Sequence, residues 1–222
     1  MYENAEMLLN SGASINIVDK DKMNALHYAS KSREDNREVI KLLIEKGIDL
    51  NTQNGNGTTA LQLACLRGVY ENTEMLLHFG ASINIRDKKS DNPLHYASCF
   101  RKDNQDIIEL LIGKGIDVNA QSKDRNTALH AACLQGVYKN AETLLDSGAW
   151  INIMDNQKDN ELHNALCSDE DNRDIIALLI DKGVDVNSEN ENSTTPLQRQ
   201  QERIALCFRI LESQSRHNKT VD

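Results

Sequence analysis

One six-residue pattern recurs along this chain and constrains its fold more than any other feature. Its clearest copy is Thr127–Ala132, and most copies keep a leucine at the third position and a histidine or glutamine at the fourth. The copies are Asn24–Ala29, Thr59–Ala64, Asn92–Ala97, Thr127–Ala132, Asn160–Ala165 and, in part, Thr195–Gln198. Because a unit of this size cannot bury its own apolar face, the pattern predicts an array of units that stack on their neighbours.

The spacing of the copies alternates between two values. The turn residues that precede them are separated in turn by 35 and 33 residues, which gives a super-period of 68, and they are Asp19, Asn54, Asp87, Ser122, Asp155 and Asn190. We call the units that begin at Asp19, Asp87 and Asp155 the long units and those that begin at Asn54 and Ser122 the short units. The long units carry an insert around Asn36, Asn104 and Asn172, whereas the short units have Gly68 and Gly136 near the same place.

These features resemble the ankyrin-repeat family, in which a turn, a T-P-L-H-x-A opening and two helices occupy about 33 residues. The second halves of the units also agree, because 42–51 and 110–119 read as a helix end followed by Gly47 or Gly115. The resemblance extends from about Met1 to Leu211. It implies an all-α fold, a solenoid of stacked helix-turn-helix units with projecting β-turn loops.

The resemblance also implies one ankyrin-repeat domain over 1–212, and the polar composition of 213–222 predicts a disordered tail. Within the domain we expect a half repeat over 1–18 and a C-terminal capping helix within 190–212, from about Thr195 to Glu212. The complete repeats are expected over 19–53, 54–86, 87–121, 122–154 and 155–189. Residues 2–9 parallel the second-helix segment 138–145, so the start is either a cut in a longer array or a frayed cap.

Composition narrows the classes of partner and compartment. The net charge of −9 and the pI of about 5.2 argue against nonspecific nucleic-acid binding and are compatible with basic partners. No signal peptide and no apolar run long enough to span a membrane is visible. We therefore expect a cytoplasmic protein that binds neither nucleic acid nor a membrane.

Four of the five cysteines, at Cys65, Cys99, Cys133 and Cys167, recur every 34 residues. This spacing predicts small buried side chains in the first helices. Neighbouring units of the family lie too far apart for a disulfide, so we expect free thiols and a reducing compartment. That compartment is the host cytosol if the chain is a microbial effector.

The second helices of the long units are expected to begin with a capping box, because each has two acidic residues three positions apart. These pairs are Asp35 and Glu38, Asp103 and Asp106, and Asp171 and Asp174.

Four histidines, His27, His95, His130 and His163, invite a catalytic or metal-binding interpretation, but their spacing only repeats that of the units. The resemblance implies that each hydrogen-bonds the backbone of a neighbouring turn, a role that Gln62 and Gln198 could fill in the two units that lack the histidine. Zinc needs convergent ligands that a stack would spread along its axis, and no phosphate-binding loop is present. We expect no enzymatic activity, no metal and no cofactor.

Two further features have structural and functional interpretations. Trp150 is expected to pack between units rather than to stack on a ligand. An asparagine follows each second helix, and in some eukaryotic ankyrin repeats the corresponding residue is hydroxylated; a local hydrogen bond across the turn is the alternative that we favour. These asparagines are Asn51, Asn84, Asn119, Asn152 and Asn187.

The function that the resemblance implies is non-catalytic protein–protein interaction on a concave surface formed by turn tips and first helices. Tyr28, Tyr96 and Phe100 are expected to be solvent-facing anchors, since aromatic residues often dominate binding energy. The candidate partner-binding residues are Lys20, Asp21, Met23, Tyr28, Leu66, Arg67, Lys88, Lys89, Asp91, Tyr96, Phe100, Lys123, Asp124, Leu134, Gln135, Asn156, Gln157 and Asp159.

Three classes of interaction protein stay open: a scaffold, an effector that an intracellular microbe directs at host proteins, and the recognition segment of a longer enzyme or channel. The frequent use of Asn, Lys and Ile favours an AT-rich genome and thus, weakly, the second. We expect a monomer unless the uncapped N-terminal half repeat self-associates.

Overall fold

The computed structural model describes residues 2–168 and 172–201, and within these ranges it contains helices and no β-strand. The helices are α1 (Tyr2–Asn10), α2 (Ala25–Lys31), α3 (Arg37–Glu45), α4 (Ala60–Arg67), α5 (Tyr70–His78), α6 (Pro93–Ser98), α7 (Gln105–Gly113), α8 (Ala128–Gln135), α9 (Tyr138–Asp146), α10 (Glu161–Ala165) and α11 (Arg173–Asp181). Residues 196–201 are also helical.

The helices form two layers. One layer contains the first helices of the units, which contact one another in chain order: α2, α4, α6, α8 and α10. The other layer contains α1 and the second helices, which also contact one another in chain order: α1, α3, α5, α7, α9 and α11. The repeated leucines lie between the layers, each at most 4% exposed: Leu26, Leu61, Leu94, Leu129 and Leu162. Burial of one such side chain contributes about 1.5–3 kcal/mol. The expected all-α solenoid is confirmed.

A left-handed glycine ends the first helix of each short unit. Gly68 follows α4 with φ of 66°, and Gly136 follows α8 with φ of 75°, a conformation that costs glycine little. The Phe100 ring packs against Gly68, since a Cβ added there would lie 2.3 Å from Phe100 Cε1. Glycine is therefore required at position 68 by both conformation and space.

The first helices of the long units are shorter, which changes where their cysteines lie. Cys65 and Cys133 are buried within α4 and α8, as expected, but α6 ends at Ser98 and α10 ends at Ala165. Cys99 is consequently exposed and Cys167 half-buried, both beyond their helices. For these two residues the expectation of a buried helical position is wrong.

The capping boxes expected for the long units are absent in α3 and α7, whose N-caps are Asn36 and Asn104 without a side-chain cap. The Asp35 carboxylate instead accepts the Arg37 backbone N–H at 3.1 Å and pairs with the Arg37 guanidinium at 2.7 Å. Asp103 likewise accepts from the backbone two residues on. At α11 the N-cap is Asn172, again without a side-chain cap, and Asp171 lies outside the described residues.

A buried asparagine pair joins each of the first two long units to the short unit that follows. The Asn36 N–H donates to Asn72 Oδ1 at 2.8 Å, and the Asn104 N–H donates to Asn140 Oδ1 at 2.9 Å. The Asn72 amide returns a bond to the Glu34 carbonyl at 2.9 Å. The insert is thus held by the next unit, which gives a physical reason for the alternation of long and short units.

The C-terminal capping helix is described only in its first turns, over 196–201. The rest of that expected helix and the expected tail over 213–222 lie outside the described residues. Among the described helices, none has both the length and the apolar character needed to cross a membrane.

Candidate interaction surface

Five of the six turn tips are built by an aspartate or asparagine side chain that accepts two backbone N–H groups. Asp19 Oδ1 accepts from Asp21 and Met23, both at 2.8 Å, and Asp87 Oδ1 accepts from Lys89 and Asp91 at 2.8 and 2.9 Å. Such side-chain turns are typical of Asp and Asn. The unit beginning at Ser122 has a weaker version, with one bond from Asn126 N–H to Ser122 Oγ at 3.2 Å.

Main-chain hydrogen bonds join consecutive tips into a continuous strip. They run from the N–H of one tip to the carbonyl of the preceding tip, between 2.7 and 3.0 Å: Gly55 to Asp21, Lys88 to Asn56, Lys123 to Lys89, Asn156 to Asp124, and Glu191 to Gln157. The donor position holds glycine, lysine, lysine, asparagine and glutamate in turn. Because only main-chain atoms make these bonds, the fold leaves the side chains at this position free to vary.

The repeat histidines tie the first helices to the next tip in three places. His27 Nε2 lies 3.1 Å from the Thr58 carbonyl, His95 Nε2 lies 3.1 Å from that of Asn126, and His163 Nε2 lies 3.0 Å from that of Thr194. Gln62 makes the equivalent bond to the Asp91 carbonyl at 2.8 Å. The structural role implied for these residues is therefore seen in the geometry.

His130 is the exception among the repeat histidines. Its Nδ1 lies 2.8 Å from Thr127 Oγ1, but its buried Nε2 has no hydrogen-bond partner. The tie to the next turn is therefore weaker at His130 than at the other histidines: its Nε2 does not reach hydrogen-bond geometry, although the Asp159 and Ile153 backbone groups lie near enough to affect its pKa. Burial lowers the pKa of His130, which disfavours the charged ring.

Two open clefts lie along the strip. The first, of about 370 Å³, is lined by Thr58, Leu66, Lys88, Asp91 and Tyr96 among others. The second, of about 490 Å³, includes Asp124, Leu134, Asp155 and Arg199. We call the surface formed by the turn tips and the cleft-lining side of the first helices the tip face.

Burial and neighbouring carboxylates shape the electrostatics of the tip face. The pKa of Asp91 is raised to about 6, first by burial and then by the charges of Asp87 and Asp124, while Lys89 opposes the shift. The clefts thus bring several carboxylates together beside Lys88 and Lys89.

Ten of the 18 candidate partner-binding residues are exposed, and they are Lys20, Asp21, Tyr28, Lys88, Lys89, Lys123, Asp124, Leu134, Asn156 and Gln157. Six are half-buried: Leu66, Arg67, Asp91, Tyr96, Phe100 and Gln135. Met23 and Asp159 are only 8% and 3% exposed. Asp159 is bound internally by Asn190 and Arg199, so these two offer little surface to a partner.

Two of the three expected aromatic anchors have internal roles instead of facing solvent. The Tyr96 hydroxyl donates to Asp87 Oδ2 at 2.8 Å and lies 3.0 Å from Thr58 Oγ1. Phe100 covers Gly68. Tyr28 makes the equivalent hydroxyl bond to Asp19 Oδ2, but it is 55% exposed, as expected.

Sequence reasoning missed Arg199 as a residue of this surface. It occupies the same unit position as Tyr28 and Tyr96, pairs with Asp159 and lines the second cleft. The sequence did contain a signal for this role, because arginine replaces tyrosine at this unit position.

Trp150 is 64% exposed, so the expectation that it packs between units is wrong. Serine stands one and two super-periods earlier, at Ser82 and Ser14. The backbone N–H of Trp150 donates to Asn119 Oδ1 at 2.7 Å. Asn51 and Asn152 accept comparable backbone N–H bonds from the following unit. These three asparagines therefore bond between units rather than locally.

The two buried thiols, Cys65 and Cys133, have little thiolate character. Burial raises the pKa of Cys65 to about 12 and raises that of Cys133 well above its usual value. Over residues 2–168 and 172–201, no group of three or more His, Cys, Asp or Glu side chains is placed to hold a metal ion.

Comparison with known proteins gives consistent matches. A family model described as ankyrin repeats (3 copies) matches residues 1–87, 32–122 and 94–190. The B-cell lymphoma 3 protein homolog of Mus musculus is 32% identical over 146 residues, 64% of this chain and 32% of that protein. An L-asparaginase of Dirofilaria immitis is 32% identical over 163 residues, 72% of this chain and 26% of that protein.

A solved structure, the human ASB11 ankyrin repeat domain, matches with a TM-score of 0.77 at 24% identity and covers 89% of this chain and 90% of that one. This likeness shows the fold. The chain spans about a third or less of the length of the two curated relatives.

Proposed function

Because this chain belongs to the ankyrin-repeat family, which generally mediates binding to other proteins, we propose that it is a non-catalytic interaction module that holds a partner protein on its tip face. The strip of main-chain bonds between tips is the observation that carries this proposal. It keeps the tips in a fixed row through main-chain atoms of consecutive tips, and such preorganisation lowers the entropic cost of binding.

The chemistry of the tip face favours a partner segment with basic and apolar side chains. Asp87, Asp91 and Asp124 line the two clefts, and the whole chain carries a net charge of −9. Leu134, which is 42% exposed on the second cleft, supplies an apolar surface that a partner can bury. Lys88 and Lys89 give the first cleft a mixed rim, so charge complementarity selects among partners as well as attracting them.

The module is proposed to act inside the cell and within any of the three classes that the sequence leaves open. Cys65, Cys99, Cys133 and Cys167 are free thiols, which suits a reducing compartment. This chain covers only 32% and 26% of the two curated relatives. This supports the class in which the repeats are the recognition segment of a longer protein. Non-catalytic function is proposed although one relative is an L-asparaginase, since the match covers only 26% of that enzyme.

Site-specific photo-crosslinking tests the proposed surface. A photoreactive amino acid is placed at Leu134 on the tip face or, as the matched control, at Glu109, an exposed residue of the second helix α7. In extract of the native source, the Leu134 probe is expected to capture a discrete protein that the Glu109 probe does not capture. Capture of the same protein by Glu109 alone would show that the partner binds the second-helix side.

A further inference from the structure

Trp150 is the one tryptophan of the chain, and its side chain is 64% exposed between two described units. The serines one and two super-periods earlier, Ser82 and Ser14, indicate that the fold needs no aromatic side chain at this position. Met154, four residues on, adds a second apolar side chain at 37% exposure. A large aromatic residue that the fold does not use is of the kind that supplies binding energy at protein interfaces.

The segment that carries Trp150 is held differently from its counterparts in the other units. Asn152 has φ of 65°, and among the described residues it is the one non-glycine residue with positive φ outside the turn tips. The N–H groups of Asn152 and Ile153 both donate to the Glu161 carboxylate, at 3.0 and 3.3 Å. A left-handed asparagine and a buried carboxylate both cost stability. Together they fix the backbone beside Trp150.

An aspartate flanks Trp150 in each adjacent unit. Asp117 and Asp185 stand at the same unit position as Trp150, one unit before and one unit after it, and both are exposed. The Trp150 N–H donates to Asn119 Oδ1 at 2.7 Å. The Asp185 N–H donates to Asn152 Oδ1, also at 2.7 Å. These bonds hold the three segments side by side, and we call Asp117, Trp150 and Asp185 the tryptophan row.

Both aspartates of the tryptophan row keep one carboxylate oxygen out of their turn. Asp117 Oδ1 accepts the Asn119 N–H, and Asp185 Oδ1 accepts the Asn187 N–H, both at 2.9 Å. The Oδ2 atoms take no part in these bonds. Each aspartate is therefore fixed by its own backbone and can still accept a hydrogen bond from a partner.

The charge beside Trp150 stays negative when the neighbouring lysines are counted. Lys182 is paired with Asp146 at 2.9 Å, and Lys114 offsets one of the two aspartates of the row. Among the described residues, no cation lies over the Trp150 ring. An open indole face next to carboxylates suits a cation, because the ring quadrupole and the negative charges attract it together.

We propose that the tryptophan row is a second protein-binding surface, which takes a basic partner segment with an arginine guanidinium on the Trp150 ring and with Asp117 and Asp185 balancing its charge. Arginine fits better than lysine, because its planar guanidinium stacks on an aromatic face and still donates to a carboxylate. Neither cleft of the tip face is lined by these three residues. Binding at the row is therefore independent of binding at the tip face.

The fluorescence of Trp150 tests the proposal, because a single tryptophan reports on this site alone. The probe is a short peptide that alternates arginine with alanine, and the control peptide carries citrulline, the neutral isostere, in place of arginine. The arginine peptide is expected to change Trp150 emission with saturation, and added salt should weaken this binding. The citrulline peptide should have no such effect. An emission unchanged by the arginine peptide into the millimolar range, or changed equally by both peptides, would overturn the proposal.

Variants separate the tryptophan row from the tip face in the same titration. The double variant Asp117→Asn, Asp185→Asn keeps the size of both side chains and is expected to weaken binding of the arginine peptide about fivefold. The matched control, Asp21→Asn with Asp124→Asn on the tip face, should leave the titration unchanged. All four aspartates are exposed, so melting temperatures should stay close to that of the wild type. Weakening by the control but not by the row variant would contradict the proposal.

Discussion

At the scale of single residues, Glu161 departs most from the repeat. It occupies the position of Ala60 and Ala128 and is 0% exposed. Its carboxylate accepts the Asn152 N–H at 3.0 Å and the Ile153 N–H at 3.3 Å, and it lies 3.9 Å from His130 Nδ1. Burial raises the pKa of Glu161 to about 7, although these N–H bonds oppose the shift.

Glu161 is expected to make stability depend on pH. Since its pKa is higher in the folded than in the unfolded state, its contribution is greatest at low pH and is lost as pH rises through about 7. Relative to Glu161→Gln, which does not titrate, the wild type should lose about 2–3 kcal/mol between pH 5 and pH 8. The lowered pKa of His130 acts in the opposite direction in both proteins, with loss of stability as pH falls. Denaturant titrations at the two pH values measure the difference, and parallel pH profiles would contradict this account.

The repeat histidines are expected to contribute unequally. His95→Ala should cost about 1–3 kcal/mol, because it leaves the half-buried Asn126 carbonyl without its His95 partner. His130→Ala removes a ring of the same size whose Nε2 is already unpaired, so its cost should be smaller. Urea unfolding of both variants gives the comparison; an equal or larger loss for His130→Ala would mean that its ring is bonded in solution.

Sequence reasoning located the residues whose roles repeat and missed those whose roles depend on distant neighbours. Leu129 and His95 stand at fixed places in a unit, so their burial follows from the period. The contact of the Tyr96 hydroxyl with Thr58 of the preceding unit and the burial of Glu161 depend on how neighbouring units meet. From sequence alone, a tyrosine or a glutamate at these positions is equally compatible with an exposed surface position.

At the scale of elements, the start of each second helix depends on the following unit. The start of the second helix could be predicted in the short units, because Gly68 and Gly136 mark the break between helices. It could not be predicted in the long units, since the partner of the Asn36 N–H lies 36 residues away at Asn72. A local capping box was the nearest interpretation available from sequence, and the contact between units replaces it.

The asparagine pair is expected to hold the long-unit insert in place. Asn72→Ala should cost about 1–3 kcal/mol, because it strands the buried Asn36 N–H and removes the bond to the Glu34 carbonyl. Asn4→Ala is the matched control, since Asn4 has the same unit position but is exposed. Chemical denaturation gives both values, and equal effects would show that the buried pair does not stabilise the junction.

At the scale of the whole molecule, the chain is one stack whose tips are joined by main-chain bonds along its length. The stack could be predicted from the period alone, because only neighbouring units contact each other. The shape of the tip face could not, since the clefts arise where side chains such as Asp91 and Arg199 from different units converge. The identity of the partner depends on that convergence.

The affinity of the captured partner for surface variants tests the central claim that the tip face is the binding surface. Leu134→Asp and Asp124→Lys alter exposed residues of the second cleft, whereas Glu109→Lys alters an exposed residue of the second-helix layer. Measured by calorimetry with matched melting temperatures, Leu134→Asp and Asp124→Lys should each weaken binding by about 1–3 kcal/mol and Glu109→Lys should leave it unchanged. Normal binding by both tip-face variants together with loss of binding in Glu109→Lys would contradict the account.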